Sequence, residues 1–324
     1  MMMTTSFENR TMSRSDLATA IEWADKEGWN PGQEDLEPFF AADPEGYLMG
    51  FLDGEPATCI SAVRYGDTFG FIGFYICRPE HRGKGYGWAT WQAGMARLAG
   101  RTVGLDGVID QQDNYRKSGF KLAHRNIRQG GLSMVDTPMD QRLAPLGQGI
   151  FPSVRDYDRT FFPAPRTDFL QAWTAPMVQT RRGFAFVEDG HVRGYGVIRL
   201  CGEGFKIGPL FADSAEAADI LFRALAGQAK GQTVYLDTPE PNREALDLAE
   251  RYELSPVFET ARMYLGAAPD LSVNRTYVWH HDFRTRLGCI TLRAPPGRNR
   301  SRHPLTIGRP GSQPPGLQAP PPPT

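Results

Sequence analysis

The chain has 324 residues, 40% of them hydrophobic, with 36 Lys+Arg against 37 Asp+Glu and a formal net charge of −1. That length suits two ordinary domains, and the near-neutral balance gives no electrostatic case for nucleic acid or an anionic membrane as partner. Cys59, Cys77, Cys201 and Cys289 form no CxxC pair, so no metal or disulfide scaffold is expected and a cytoplasmic location fits.

The start, Met1-Met2-Met3-Thr4-Thr5, carries no apolar signal segment, and no later run approaches the ~20 apolar residues that span a bilayer. Residues 1–13 read as a disordered leader. Ser15-Asp16 opens a helix with Leu17, Ala20, Ile21 and Ala24 at helical spacing, and Gly28-Trp29-Asn30-Pro31-Gly32 ends it. A short acidic helix covers 34–40. Strand-like runs at 47–52 and 57–64 flank Asp53-Gly54, a hairpin turn signal. A third run, 69–77, leads to the loop Arg82-Gly83-Lys84-Gly85-Tyr86-Gly87 and a helix over 88–98. A strand at 102–106, a helix at 114–118 closed by Gly119, and a strand at 120–128 complete an α/β (α+β) domain, 14–137. Pro138, Pro145, Gly147, Gly149 and Pro152 mark 138–152 as a linker. A second domain, 153–277, follows.

The second domain echoes the first. Asp53-Gly54 has a counterpart in Asp189-Gly190, Gly70-Phe71-Ile72-Gly73 in Phe205-Lys206-Ile207-Gly208, and Thr102-Val103-Gly104-Leu105-Asp106 in Thr233-Val234-Tyr235-Leu236-Asp237. The order is kept at offsets of about 131 to 136 residues, the signature of duplication. The second copy has Pro209-Leu210-Phe211-Ala212-Asp213-Ser214-Ala215-Glu216 where the first has its glycines and arginine. Two acids and no glycine cannot cradle a pyrophosphate, so that copy is expected to be degenerate.

A glycine loop between a strand and a helix N-terminus presents backbone N–H groups to a phosphate, and Arg82 and Lys84 add charge. A dinucleotide fold is disfavoured, because the spacing is not GxGxxG and no strict βαβ unit surrounds it. The run Ile76-Cys77-Arg78-Pro79-Glu80-His81-Arg82-Gly83-Lys84-Gly85-Tyr86-Gly87 resembles the acetyl-CoA loop of the GNAT N-acetyltransferases, Arg/Gln-x-x-Gly-x-Gly/Ala, with Arg82, Gly85 and Gly87 in place. Asn114-Tyr115-Arg116-Lys117-Ser118-Gly119-Phe120 resembles a downstream element of that family in its Tyr-x-x-x-Gly-Phe part, although here asparagine directly precedes tyrosine. The second domain is similar to the C-terminal half of YitH/HolE-type acetyltransferases, in which a GNAT domain is followed by a second GNAT-like half.

This resemblance implies a GNAT fold with a mixed, splayed central sheet and a second, degenerate GNAT-like half. It implies acetyl-CoA as co-substrate, bound by Ile76, Cys77, Arg78, Arg82, Gly83, Lys84, Gly85, Tyr86, Gly87 and Asn114. The backbone of 76–78 would pair with the pantetheine, and Tyr115 would donate to the departing thiolate. The implied activity is direct acetyl transfer to a primary amine of a small molecule. The rival reading is a catalytically idle acyl-CoA-binding sensor. A plain turn at the loop and a merely packed Tyr115 are the alternatives for the residues themselves. Cys77 lacks an activating histidine, and His81 reads as a solvated turn residue. Trp88 and Trp91 read as packing, as do Trp23, Trp29 and Asn30 beside the acceptor pocket. Asp113, Glu22 and Glu37 are candidate bases by type only.

The second half is expected to wall the acceptor pocket, making the monomer a pseudo-dimer, with a homodimer as the other option. A fragment ending near residue 145 is then expected to keep acetyl-CoA and lose acceptor affinity. From 278 to 324 the chain is rich in Arg, Pro and Gly. It reads either as a disordered extension or as translation out of frame. With one base dropped near Trp279, the codons permit Gly-Ile-Thr-Thr-Phe-Glu-Leu-Gly, a strand-like ending similar to that of the same family.

Overall fold

The computed structural model describes residues 6–175 and 180–279, all within one compact unit. The first half runs β1 (Phe7–Thr11), α1 (Arg14–Lys26), α2 (Leu36–Ala42), β2 (Tyr47–Leu52), β3 (Glu55–Tyr65), β4 (Phe69–Cys77), α3 (Tyr86–Arg97), β5 (Thr102–Val108), α4 (Gln112–Lys117) and β6 (Lys121–Leu132). The second half runs β7 (Leu143–Pro145), α5 (Phe151–Asp158), α6 (Thr167–Trp173), β8 (Arg181–Glu188), β9 (His191–Leu200), β10 (Phe205–Ala212), α7 (Ala215–Ala226), β11 (Thr233–Pro239), α8 (Arg243–Arg251) and β12 (Ser255–Leu265). The two halves repeat one order of elements, so the duplication read from the sequence holds element by element. One strand is extra: β13 (Thr276–Val278).

Two expected boundaries need correction. The leader is not unstructured throughout, because β1 pairs antiparallel with β2 from Phe7 opposite Leu52 to Thr11 opposite Leu48. Gly50 makes room for it, since a Cβ there would lie 2.5 Å from the Phe7 ring. The 138–152 linker contains β7, which pairs with β8, and the buried Leu146. At the start of α1 a capping box does the work expected of Ser15: the Ser13 hydroxyl accepts from the Asp16 N–H at 3.2 Å and the Asp16 carboxylate accepts from the Ser13 N–H at 2.9 Å.

Among the described residues the strands form a single 13-stranded sheet ordered β1-β2-β3-β4-β5-β12-β6-β11-β10-β9-β8-β7, with β13 on β10. Each half therefore gives its last strand to the other. β12 lies between β5 and β6, and β6 between β12 and β11. Two buried ion pairs sit on this exchange. Arg262 of β12 faces Asp106 of β5 and donates to it at 2.6 and 2.8 Å. Arg128 of β6 faces Asp237 of β11 and donates to it at 2.9 and 2.7 Å. One apolar cluster joins α1, α2, α5 and α6 against one face of the sheet, with the Phe39 ring tilted against Phe169 and Trp173 at 5.7 and 5.9 Å. On the other face α7 and α8 cover the second half, and α3 and α4 the first. Among the described residues no helix is long and apolar enough to cross a membrane. The frame-slip expectation falls from residue 280 onward outside the described residues; Val278 and Trp279 are buried within the fold.

Candidate active site

The glycine loop follows directly from strand chemistry. β4 is apolar throughout and ends at Cys77; Pro79–His81 makes one 3-10 turn, and α3 begins at Tyr86. Gly83 and Gly85 have φ of +75° and +90°, the left-handed region that glycine enters without strain. A Cβ on either would meet nothing within 4 Å. Among the described residues no acceptor meets the N–H groups of Gly83, Lys84, Gly85 or Tyr86. The result is an open turn with unpaired donors at a helix N-terminus, an arrangement that favours an anion. Lys84 is exposed beside it and forms no ion pair among the described residues, while the Tyr86 ring packs on Phe7 at 5.0 Å.

Arg82 is placed differently from expectation. Its Nε donates to the Cys77 carbonyl at 2.8 Å, and its Nη2 pairs with Glu27 at 2.6 Å. The guanidinium thus ties the loop to β4 and to the end of α1, and much of its charge is neutralised there. Arg78 is committed too: its N–H donates to Ala57 of β3, and its side chain binds the Pro56 carbonyl and Glu80. Its backbone donor is therefore not available to pair with a ligand, which corrects that part of the 76–78 expectation. By strand alternation the Cys77 N–H points the other way, toward β5. Asn114 donates to Gln111 at 2.6 Å within its own turn.

Toward β5 there is a wedge. β4 and β5 pair in parallel only over Phe69–Phe71 and Thr102–Gly104. Beyond that point β4 carries a bulge against β3, at which Phe74 takes a φ of +50°. A non-glycine residue there is uncommon, and bulges re-aim a strand beside functional sites. Ile76 is buried on the α1 side of β4. Tyr115 is buried on the other side, its ring filling the space a Cβ on Gly107 would need. Trp91 and Phe120 lie 5.9 and 6.4 Å from that ring. Burial pushes the Tyr115 phenol well above its ordinary range, and its hydroxyl has no partner among the described residues. Burial also pushes the Cys77 thiol up to about 11, which suits an inert thiol and not a nucleophile.

The second half closes the same wedge. β10 and β11 pair only over Phe205–Ile207 and Val234–Leu236, and beyond them β13 pairs with β10 while the Trp279 N–H donates to the Asp237 carbonyl. At the head of α7, the Ser214 hydroxyl accepts from the Ala217 N–H, and no left-handed glycine precedes it. Among the described residues, the first half leaves β4 and β5 without a strand between them and the loop N–H groups without acceptors, while the second half sets its own chain beside β10 and caps its helix.

On the α1 side of the wedge lies a cleft of about 220 Å³ lined by Gly28, Trp29, Asn30, Val108, Arg128, Glu203, Tyr235, Val257 and Phe258. Trp29 meets Phe74 edge-on at 6.0 Å, which places this cleft beside the β4 bulge. Both halves build it. Asn30 donates to the Glu203 carbonyl at 2.7 Å and accepts from the Glu203 N–H at 2.8 Å. Buried Lys206 donates to the carbonyls of Trp29 and Asn30. Gly32 bridges to Cys201, and Asp35 pairs with Arg199 at 3.0 Å. Sequence reasoning missed Glu203, Lys206, Arg199 and Arg128. The available signal was Lys206, a lysine inside an apolar strand where the first copy has Phe71. The bases considered by type lie elsewhere: Glu37 pairs with Arg14, Asp113 pairs with Arg116, and Glu22 is exposed.

Comparison with known proteins agrees with this geometry. Residues 15–120 match the model of the acetyltransferase (GNAT) family, and residues 154–278 match that of an acetyltransferase (GNAT) domain. A holothin acyltransferase from Pseudoalteromonas sp. (strain SANK 73390) is 31% identical over 265 residues, 82% of this chain and 90% of that protein. A Pyrococcus horikoshii protein crystallised as a candidate acetyltransferase shares the fold with a TM-score of 0.72 at 22% identity, covering 86% of this chain and 95% of that one. A tandem GNAT protein from the clavulanic acid biosynthesis pathway does so with a TM-score of 0.56 at 14% identity, covering 82% and 100%. With an open wedge in its first half and a plugged one in its second, the chain belongs to the GNAT acetyltransferase family as a two-domain acyltransferase.

Proposed function

We propose that the protein transfers an acetyl group from acetyl-CoA directly to a primary amine of a small molecule. The observation that carries this reading is the coincidence, in the first half alone among the described residues, of β4 and β5 parting after Phe71 and Gly104 with unpaired N–H groups at Gly83–Tyr86. In this reading those N–H groups bind the pyrophosphate, with Lys84 adding charge. Arg82 holds the loop against β4. The Cys77 N–H faces the wedge and is the donor for the thioester oxygen as negative charge develops on it. Tyr115, whose hydroxyl has no partner among the described residues, is the donor to the departing sulfur.

The amine must be neutral to attack, and the cleft at Trp29, Asn30, Val108 and Glu203 brings it to the wedge from the opposite side. The second half contributes the wall of that cleft and no second donor site. The relative's name makes holothin the first acceptor to try. Thiol release with acetyl-CoA and longer acyl-CoAs, against holothin and a panel of small amines, tests the reading. Amide product at acetyl-CoA concentrations that saturate the protein supports it. Binding without transfer to any amine leaves the idle acyl-CoA-binding module in its place.

A further inference from the structure

Tyr75 and Tyr115 are each 1% exposed, and neither hydroxyl has a hydrogen-bond partner among the described residues. Buried hydroxyls are normally paired, because an unpaired one forfeits its hydration for nothing. Tyr75 lies on β4 beyond the last residue paired with β5, directly after Phe74 at the bulge. Its ring and that of Tyr115 flank Trp91 at 5.7 and 5.9 Å. Both tyrosines belong to the cluster on the α3 side of the sheet. Tyr75 also has Cys77 and Tyr115 as electrostatic neighbours. Two unpaired, buried O–H donors therefore sit in one cluster on the α3 side of the sheet, beside the point where β4 and β5 part.

We propose that Tyr75 is a second catalytic residue, and that the Tyr75 and Tyr115 hydroxyls together form a two-donor cradle for the thiolate leaving acyl-CoA. The proposal rests on the acyl-CoA reading above. Burial raises both phenols, whereas a free thiol ionises near ~8.5. Full proton transfer from such a phenol to sulfur is uphill, but hydrogen-bond donation is not. The amine nitrogen forms the C–N bond, and the C–S bond breaks with its electron pair on sulfur. The two hydroxyls donate to that sulfur and keep their protons. The proton shed by the acylated nitrogen reaches the thiolate, directly or relayed by water, so amine and acyl-CoA become amide and free CoA thiol.

A cradle of this kind lowers the pKa of the bound CoA thiol, so free CoA should bind more tightly as pH rises. Acetyl-CoA has no ionisable thiol and serves as the reference. Calorimetry from about pH 6.5 to about pH 9.5 should show CoA gaining about tenfold in affinity over acetyl-CoA, the equivalent of a one-unit shift. In Tyr75→Phe and in Tyr115→Phe the gain should shrink to about threefold or less, with acetyl-CoA affinity near wild type. Turnover should fall about tenfold or more in each, and the double variant should lose less than the product of the two, as groups acting as a unit do. Phenylalanine keeps the packing on Trp91 and removes an unpaired hydroxyl, so the melting temperature should not fall. Wild-type pH dependence and turnover in Tyr75→Phe, with both lost in Tyr115→Phe, would overturn the cradle and leave the function reading standing. Failure of the wild-type protein to bind acetyl-CoA at all would overturn both.

Discussion

At the scale of single residues, glycine geometry and hydroxyl burial make the sharpest predictions. Gly85 caps α3 at a φ of +90°. Gly85→Glu adds strain and sets a carboxylate among donors that favour an anion, so acetyl-CoA affinity should drop by about 100-fold or more in calorimetry. Cys59, Cys77 and Cys201 are buried and their thiols are raised. At pH 8 all three should resist alkylation in the native protein and react once it is denatured, as read by peptide mass mapping. The loop and Tyr115 were legible in the sequence because their pattern is local: glycines, charges and a tyrosine at fixed spacing. The partners of Arg82 and Arg78 were not, since Glu27 and Ala57 reach them only through folding. Tyr75 was invisible for a similar reason, because an apolar strand with one tyrosine reads as core.

At the scale of elements, the α1–α2 connection and the exchanged strands decide how the two halves cooperate. Lys206 holds the Trp29 and Asn30 carbonyls. Lys206→Met should loosen that connection and raise the acceptor KM by about tenfold, the loss of about 1.4 kcal/mol, with acetyl-CoA affinity unchanged in the same assay. The Asp106–Arg262 pair is buried on the exchange. Asp106→Ala strands a buried guanidinium and should cost about 3–5 kcal/mol in denaturant unfolding, while the added Arg262→Met should recover a large part of it. The main strands and helices followed from periodicity and turn residues. β1 did not, because it is a short edge strand with only two of its five positions partly buried, a pattern too weak to separate from a leader. β7 is shorter still and lies among prolines and glycines that spell a linker.

At the scale of the whole molecule, the duplication was legible and its consequence was not. Repeated Asp-Gly turns and strand sequences reveal two copies, but nothing local says that each copy's last strand crosses to the other. That exchange changes one expectation. A fragment ending near residue 145 lacks β12, which separates β5 from β6, so it should be insoluble or unfolded by circular dichroism and should not retain acetyl-CoA. The second copy is degenerate for two reasons, of which the sequence shows only one: its loop lacks glycines, and β13 with Trp279 occupies its wedge. The wedge between β4 and β5 is then expected to be the single acyl-CoA site of the described fold. Titration calorimetry with acetyl-CoA on the full chain and on Gly85→Glu tests it most directly. One molecule bound per chain in the first, and none measurable in the second, is the predicted result; two bound per chain, or undiminished binding to Gly85→Glu, would contradict it.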